Sequence, residues 1–408
     1  MNRVKERLGP ETVTTQAAAL STELGISLTV ATWLYQIGHR DPVATRRFLD
    51  PKLADLTRPD GMADRDVAAA RLACAIQRRE RVCVFGDYDC DGITAAAIMT
   101  EVIRALGGEV LTKLASRFEG GYGVSAAALR GILASGASVV VTCDCGSSDH
   151  ASLAELKRLG IDVIVIDHHL VPAEPLPALA FLNPHRPDCA FPYKGLASCG
   201  LALSVGAGLR THLGKELDLR RWLDLVAIGT VADVAPLDGD NRALVRAGLR
   251  ALGRAERPGI RALLELAKLE PAPPGAEAIT PLTSEDIAFR LAPRINAPGR
   301  LGSPDLALEL LLANTGDSAR LLGEQLEQIT LERKALQEKM VAEAVAEIER
   351  EKYHDRPAIV IGREGWNPGL VGVAAARVAD RYGRPVIVIG FEGARGRGSV
   401  RGPQGARL

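Results

Sequence analysis

Asp87, Asp89 and Asp91 stand at alternate positions within RVCVFGDYDCDGITAAAIMTEVIRALGG, residues 81–108, directly after a short apolar run. Carboxylates this close repel one another, and burial would raise the cost, so a positive charge belongs among them. Two more apolar runs end in the same way: VVVTCDCG at Asp144, and IDVIVIDHH at Asp167, His168 and His169. Asp233 closes an apolar helix in GTVADVAPL. Oxygen and imidazole donors without a thiolate suit Mn²⁺ or Mg²⁺ better than structural zinc. Such ions acidify bound water and clamp the attacking and leaving oxygens of a phosphoryl displacement. A single aspartate after a strand is ordinarily a turn or cap residue, and a single histidine a structural one. Four element ends agreeing are harder to explain that way, and metal-dependent phosphoester chemistry is the better reading.

These residues need a frame that delivers them to one edge. RVCVFG, EVLTKLA, ASVVVTCDCG and IDVIVIDHH read as buried strands, separated by helical segments at ITAAAIMTEVIRALGG, VSAAALRGILASG and SSDHASLAELKRLG. That alternation predicts a doubly wound, mostly parallel α/β sheet, whose ligands gather outside the carboxyl ends of the strands. Neighbouring histidines on a strand point to opposite faces, so both His168 and His169 enter the crevice only if the strand has ended. Residues 1–80 read as a helical lead-in. Beyond the sheet the pattern turns helical, with a loop at EPAPPGAEAITP and an uninterrupted helix from about Ser318 to Lys352, an interdomain strut by its length. An α/β pattern restarts at about residue 354, giving a smaller second domain.

At 408 residues, with 47% hydrophobic and 25% charged residues, the chain has the composition of a globular protein of two or three domains. Lys+Arg and Asp+Glu balance at 50 each, which excludes a global basic field and leaves any polyanion site to local patches. The opening MNRVKERLGPETVTTQ carries no signal-type apolar region, and no apolar run is long enough to span a membrane. The seven cysteines are scattered, and Cys143 and Cys145 lack the spacing of a zinc or redox pair. Reduced thiols in a cytoplasm are the expectation.

GDYDCDG, the aspartate of VTCDCG, DHH and GTVADVAPL resemble, in order, the four motifs of the DHH phosphoesterase superfamily. DYDCDG, SRFEGGYG (116–123), PRINAPGRLG (293–302) and GWNPGLVGVAAARV (365–378) are similar to the RecJ single-strand exonucleases, the last opening an accessory DHHA1 domain. The resemblance implies a DHH domain at 81–316, a connecting helix at 317–353 and a DHHA1 domain at 354–408. It implies Asp89, Asp91, Asp144, His168 and Asp233 as ligands of one or two Mn²⁺ or Mg²⁺ ions, with Asp144 bridging. It implies that His169 faces the scissile phosphate and that Asp87 assists, so His169, Asp87 and Asp144 form the catalytic set. Many small-substrate relatives carry a histidine where this chain has Phe85, so a weaker first metal site is expected. The implied activity is 5′-to-3′ degradation of single-stranded DNA in recombination and repair, by a monomer working with single-strand-binding protein and a RecQ-type helicase.

A local basic excess supports a polyanion. Residues 356–408 hold nine arginines against three acids, a difference of about six charges. Arg294, Asn296, Gly299 and Arg300 sit in a proline-flanked segment read as a loop that presents a fork to a terminal phosphate. Arg397 and Ser399 lie in GARGRGSVRG, read as a glycine-rich loop whose amides cradle phosphate. Arg117 and Tyr122 are expected to contact backbone and base. RecJ sequences have Gly-Ser-Gly-Arg-Ser near this last position, followed by more DHHA1 and an OB-fold; here the order differs, and an incomplete DHHA1 without the OB-fold is expected. A phosphodiesterase of short oligonucleotides or cyclic dinucleotides is the alternative enzyme, and a catalytically dead scaffold the alternative from another class. The basic tail and the GGYG and RINAPGR segments favour the nuclease over the former. The complete ligand set disfavours the latter.

Overall fold

A computed structural model describes residues 10–273, 282–406 and 408. Most of the expected loop at 270–281 and residues 1–9 of the lead-in lie outside the described residues. Five strands form one parallel sheet: β1 (Arg81–Gly86), β2 (Glu109–Leu114), β3 (Val139–Cys143), β4 (Asp162–Ile166) and β5 (Ala180–Leu182), in the order β2-β1-β3-β4-β5. Alternate residues of the central strands feed separate cores. Val82, Val84, Val139, Val141, Ile164 and Ile166 pack on one face, while Cys83, Phe85, Val140, Val163 and Val165 pack on the other. Burial on both faces is why these strands read as continuous apolar runs rather than alternating ones. The strand order reverses direction between β1 and β3, which is where an open parallel sheet leaves its crevice.

Helices Cys90–Ala105, Ser198–Leu213 and Leu223–Ala232 cover the first face. Helix Arg65–Gln77, read from sequence as lead-in, joins the same core through Ala68, Leu72 and Ile76. The lead-in helices before it, Pro10–Leu24, Leu28–Gln36 and Pro42–Leu49, gather around a small cluster of their own that includes Leu20, Leu34 and Tyr35. Among the described residues no single helix is long and apolar enough to cross a membrane, and all seven cysteines are free thiols.

The strut is helix Gly316–Arg350. Its buried residues recur every three or four positions: Ala319, Gly323, Leu326 and Thr330, then Gln337, Met340, Ala344 and Ile348. Ala319 and Leu326 belong to the core of the parallel sheet, whereas Met340, Ala344 and Ile348 belong to a second core. One apolar stripe therefore serves both. That second core lies on a three-stranded sheet of β6 (Ile359–Glu364), β7 (Val386–Glu392) and β8 (Arg395–Arg401), covered by helix Val371–Tyr382.

Two local expectations are corrected. GARGRGSVRG is not a free loop: Gly393, at φ 60°, turns the chain, and Arg395–Arg401 pairs antiparallel with β7 as an edge strand. RINAPGR is not a loop either, but two short helices, Ala292–Ile295 and Pro298–Leu301. Their prolines fall in the first helical turn, where an amide hydrogen is not needed.

Candidate metal centre

The structure brings all four element ends to the crevice between β1 and β3. Asp87 follows β1 directly, its amide bonded to the Cys143 carbonyl at 3.0 Å. Asp89 caps helix Cys90–Ala105 and accepts from the amides of Asp91 and Gly92 at 3.1 and 3.2 Å. Gly92 is dictated by crowding, since a Cβ there would meet the Asp87 backbone at 2.7 Å. Asp91 lies in the first turn of that helix, and its carboxylate accepts from the amides of Ser198 and Cys199 at 2.7 and 3.0 Å. A helix N-terminus thus grips a carboxylate, which helps it stay charged. Gly229 lets helix Leu223–Ala232 approach, for a Cβ there would come within 2.8 Å of Asp91 Oδ1.

Asp144 follows β3 in the left-handed conformation, φ 63°, and is fully buried. Its Oδ1 accepts from Ser198 Oγ at 3.0 Å and lies 3.2 Å from His168 Nε2 and 3.8 Å from His169 Nδ1. Both histidines reach the crevice because β4 ends at Ile166, releasing them from strand alternation. Asp167 enforces the turn. Its Oδ1 accepts from the amides of His168 and His169 at 2.8 and 3.2 Å and lies 2.8 Å from His169 Nδ1, while Oδ2 accepts from the Ser147 amide at 3.1 Å. Hydrogen bonding to Asp167 raises the His169 pKa and favours the imidazolium. Asp233, capping helix Leu223–Ala232, places Oδ2 3.6 Å from His168 Nε2.

Three sets of donor atoms each lie within 4.8 Å of one another: Asp87, Asp89 and Asp144; Asp91, His168 and Asp233; and Asp144, His168 and His169. Asp144 is common to two of them, between the other carboxylates and the histidines. Burial, reinforced by neighbouring carboxylates, pushes the Asp87 pKa up to about 8 and that of Asp233 up to about 6. Asp144 is raised for the same reasons, and Asp91 by burial against the pull of His168. Asp87 Oδ1 and His168 Nε2 are buried without a hydrogen-bond partner. Unsatisfied acceptors among mutually repelling carboxylates fit a hard divalent cation.

Beside this acidic mouth stands a group of opposite sign. Arg117 stacks over the Tyr88 ring at 4.1 Å, and its Nε is buried and unpartnered. Arg300 is pushed down to about 10 by burial, with Arg117 and Arg333 adding repulsion. Arg333, on the strut, bonds Gln337 at 3.1 Å and leaves its Nε buried and unpartnered, with Arg377 repelling it from helix Val371–Tyr382. Arg117, Arg300, Arg333 and Arg377 make no ion pair among the described residues. They adjoin the carboxylates closely enough for Arg117 to act on Asp87 and Asp89 on Arg300.

The other expected contact residues are placed as follows. Tyr122 donates its hydroxyl to the Asp144 carbonyl at 3.1 Å and lies 3.1 Å from His169 Nδ1, so it stands at the metal centre. Arg294 presents no free fork, because Glu327 binds it at 2.8 and 3.1 Å and it also donates to the carbonyls of Arg290 and Leu266. Asn296 ends the short helix Ala292–Ile295. Gly299 lets the next helix press on the Tyr88 carbonyl, 2.9 Å from where a Cβ would be. Arg397 reaches across to the Arg117 carbonyl at 2.7 Å, while Ser399 accepts from Arg401 at 2.9 Å on the same strand. Sequence reasoning placed Asp167 among the donors at the strand ends but not as the residue that turns the chain, and it gave no role to Ser198, Cys199 or Arg333. Asp167 was signalled by its place beside the histidines; the others carry no local signal.

The family described as "DHH family, N-terminal domain" matches residues 81–230. The single-stranded-DNA-specific exonuclease RecJ of Bacillus subtilis is 36% identical over 96% of this chain and 48% of its own length. The chain spans between 48% and 66% of the six curated RecJ proteins it matches. The crystal structure of RecJ from Thermus thermophilus in complex with Mn²⁺ superposes with a TM-score of 0.80 at 31% identity, covering 97% of this chain and 54% of that one. A further exonuclease RecJ structure, bound to manganese, gives a TM-score of 0.73 at 33% identity over 84% of this chain and 83% of that one. With the parallel sheet, the four motifs and the strut all in place, this chain belongs to the RecJ family of DHH proteins.

Proposed function

We propose that the chain is a Mn²⁺- or Mg²⁺-dependent exonuclease that removes nucleotides from the 5′ end of single-stranded DNA. The observation that carries this reading is the juxtaposition of a carboxylate–histidine cluster whose Asp87 Oδ1 and His168 Nε2 have no hydrogen-bond partner with an arginine group whose Arg117 and Arg333 Nε atoms have none either. A phosphodiester chain drawn to a metal centre satisfies both at once. Bound there, divalent ions would lower the pKa of attacking water and neutralise charge on the phosphate. Asp87, Asp89, Asp91, Asp144, His168 and Asp233 would hold them. His169, oriented by its hydrogen bond to Asp167, which also raises its pKa, donates to the scissile phosphate and stabilises its developing charge. Arg117 and Arg300 receive the terminal 5′ phosphate, with Arg333, Arg377 and Arg397 along the strut and second sheet guiding the strand.

In this reading residues 1–80 are a lead-in, 81–316 the catalytic unit, 317–353 the connecting helix and 354–408 a DHHA1 substrate-binding unit. Helix Arg65–Gln77 packs into the sheet's core, which supports folding the end of the lead-in together with the catalytic unit. A cytoplasmic role in recombination and repair, a monomeric state, and partnership with single-strand-binding protein and a RecQ-type helicase complete the proposal.

The test is digestion of a 5′-phosphorylated, 3′-labelled single strand beside its duplex and a dinucleotide, with Mn²⁺ or with EDTA. Metal-dependent shortening of the single strand from its 5′ end is expected. Cleavage of the dinucleotide alone would move the chain to the small-substrate phosphodiesterases.

A further inference from the structure

The two most exposed large apolar side chains among the described residues are Leu170, 91% exposed, and Val234, 87% exposed. Each directly follows a residue of the metal centre, His169 and Asp233 respectively. Val234 is also strained. Helix Leu223–Ala232 closes with Val234 N bonded to the Val231 carbonyl at 3.1 Å and Ala235 N to the Thr230 carbonyl at 3.2 Å. This double closure requires a left-handed residue at position 234, which has φ 58°. Glycine is the ordinary occupant, and this chain uses it elsewhere: Gly214 at φ 60° and Gly383 at φ 61° end helices Ser198–Leu213 and Val371–Tyr382. A branched Cβ is the worst fit for that conformation, and Val234 is the only β-branched residue adopting it among the described residues. Packing does not offset the strain, because the side chain projects into solvent. A strained, exposed residue that would be easier to build as glycine, one position after Asp233, points to a functional use of that side chain.

We propose that Leu170 and Val234 are apolar lips of the metal centre, and that they grip the sugar and base of the nucleotide whose phosphate is being cut. This rests on the nuclease reading and deepens it. The charged groups around the centre hold phosphate and metal, and the Tyr122 ring beside His169 offers a base only one face. Two aliphatic side chains supply one that is indifferent to base identity, as an enzyme that degrades any sequence requires. The lips act as substrate-positioning residues and take no part in proton transfer.

The experiment compares Val234→Gly and Leu170→Ser with the wild-type chain on two 5′-phosphorylated single strands. One is a normal strand; the other carries abasic sites at its first two positions. Thermal unfolding and Mn²⁺ calorimetry accompany the kinetics. Val234→Gly should unfold no lower than wild type, since glycine relieves the strain, and should bind Mn²⁺ equally well. Its kcat/KM on the normal strand should nevertheless fall, by on the order of tenfold when combined with Leu170→Ser, from lost apolar contact. On the abasic strand, variants and wild type should converge. Unchanged cleavage of the normal strand by both variants overturns the proposal while leaving the nuclease reading intact. An equal loss on both strands, with weaker Mn²⁺ binding, overturns it in favour of simple support of Asp233. If wild type cleaves neither strand, the nuclease reading falls and the lips fall with it.

Discussion

The acidic crevice between β1 and β3 and the arginine group beside it break the same rule with opposite signs. In the crevice, buried carboxylates crowd together until burial and repulsion hold Asp87 up to about 8. In the arginine group, guanidinium groups crowd until burial and repulsion bring Arg300 down to about 10. Elsewhere the chain pairs its half-buried charges: Arg71 meets Glu80 and Asp162, Arg257 meets Glu101 and Asp224, and Arg294 meets Glu327. The contrast supports the proposal that the two exceptions are complementary halves of one binding surface. Neither makes an ion pair with the other, which suits a cation on one side and a phosphate on the other.

The comparison breaks most completely at Asp144, which sits between the other carboxylates and the histidines. Asp144→Asn should lower cleavage by about 10³-fold or more and weaken Mn²⁺ binding, with the far-ultraviolet circular dichroism unchanged. Cleavage within tenfold of wild type would show that the crevice is not the reacting centre.

On the basic side, Arg300→Gln should cost about 10- to 100-fold in KM for a 5′-phosphorylated strand and much less for a 5′-hydroxyl one. Arg117→Gln should follow it. Binding should also lose about one unit of salt dependence per arginine removed. Equal losses with both ends would move these arginines from the terminal phosphate to the general path of the strand.

The smallest effect sharpens the electrostatic account. Asp87 holds a proton in the native metal-free chain up to about pH 8, whereas its unfolded value is 3.8. The native state therefore binds more protons than the unfolded state between about pH 4 and 8. Stability of the metal-free protein should fall as pH rises through that window. Asp87→Asn removes that ionisation and should raise the metal-free unfolding midpoint by a few degrees at pH 8 while reducing the gain from Mn²⁺. A metal-free midpoint that rises with pH across this range would contradict the burial of an uncompensated carboxylate.

Much of this was legible from the chain alone. The near-continuous apolar runs imply a sheet buried on both faces, the donor types at their ends imply a hard-cation centre, and the unbroken length of the strut implies a helix between two units. Those properties are local: they depend on residue chemistry and on short-range repeats of two or about four positions. Tertiary structure decided the rest. It ended β4 at Ile166, so that both histidines enter the crevice. It folded the glycine-rich basic segment into an edge strand, and it turned Arg294 away to Glu327. It brought Arg117, Arg300, Arg333 and Arg377 together from the 116–123 segment, a short helix, the strut and the second unit. A charge in a sequence does not reveal its neighbours. Only the packing of distant elements decides whether an arginine meets a carboxylate or is left for a phosphate.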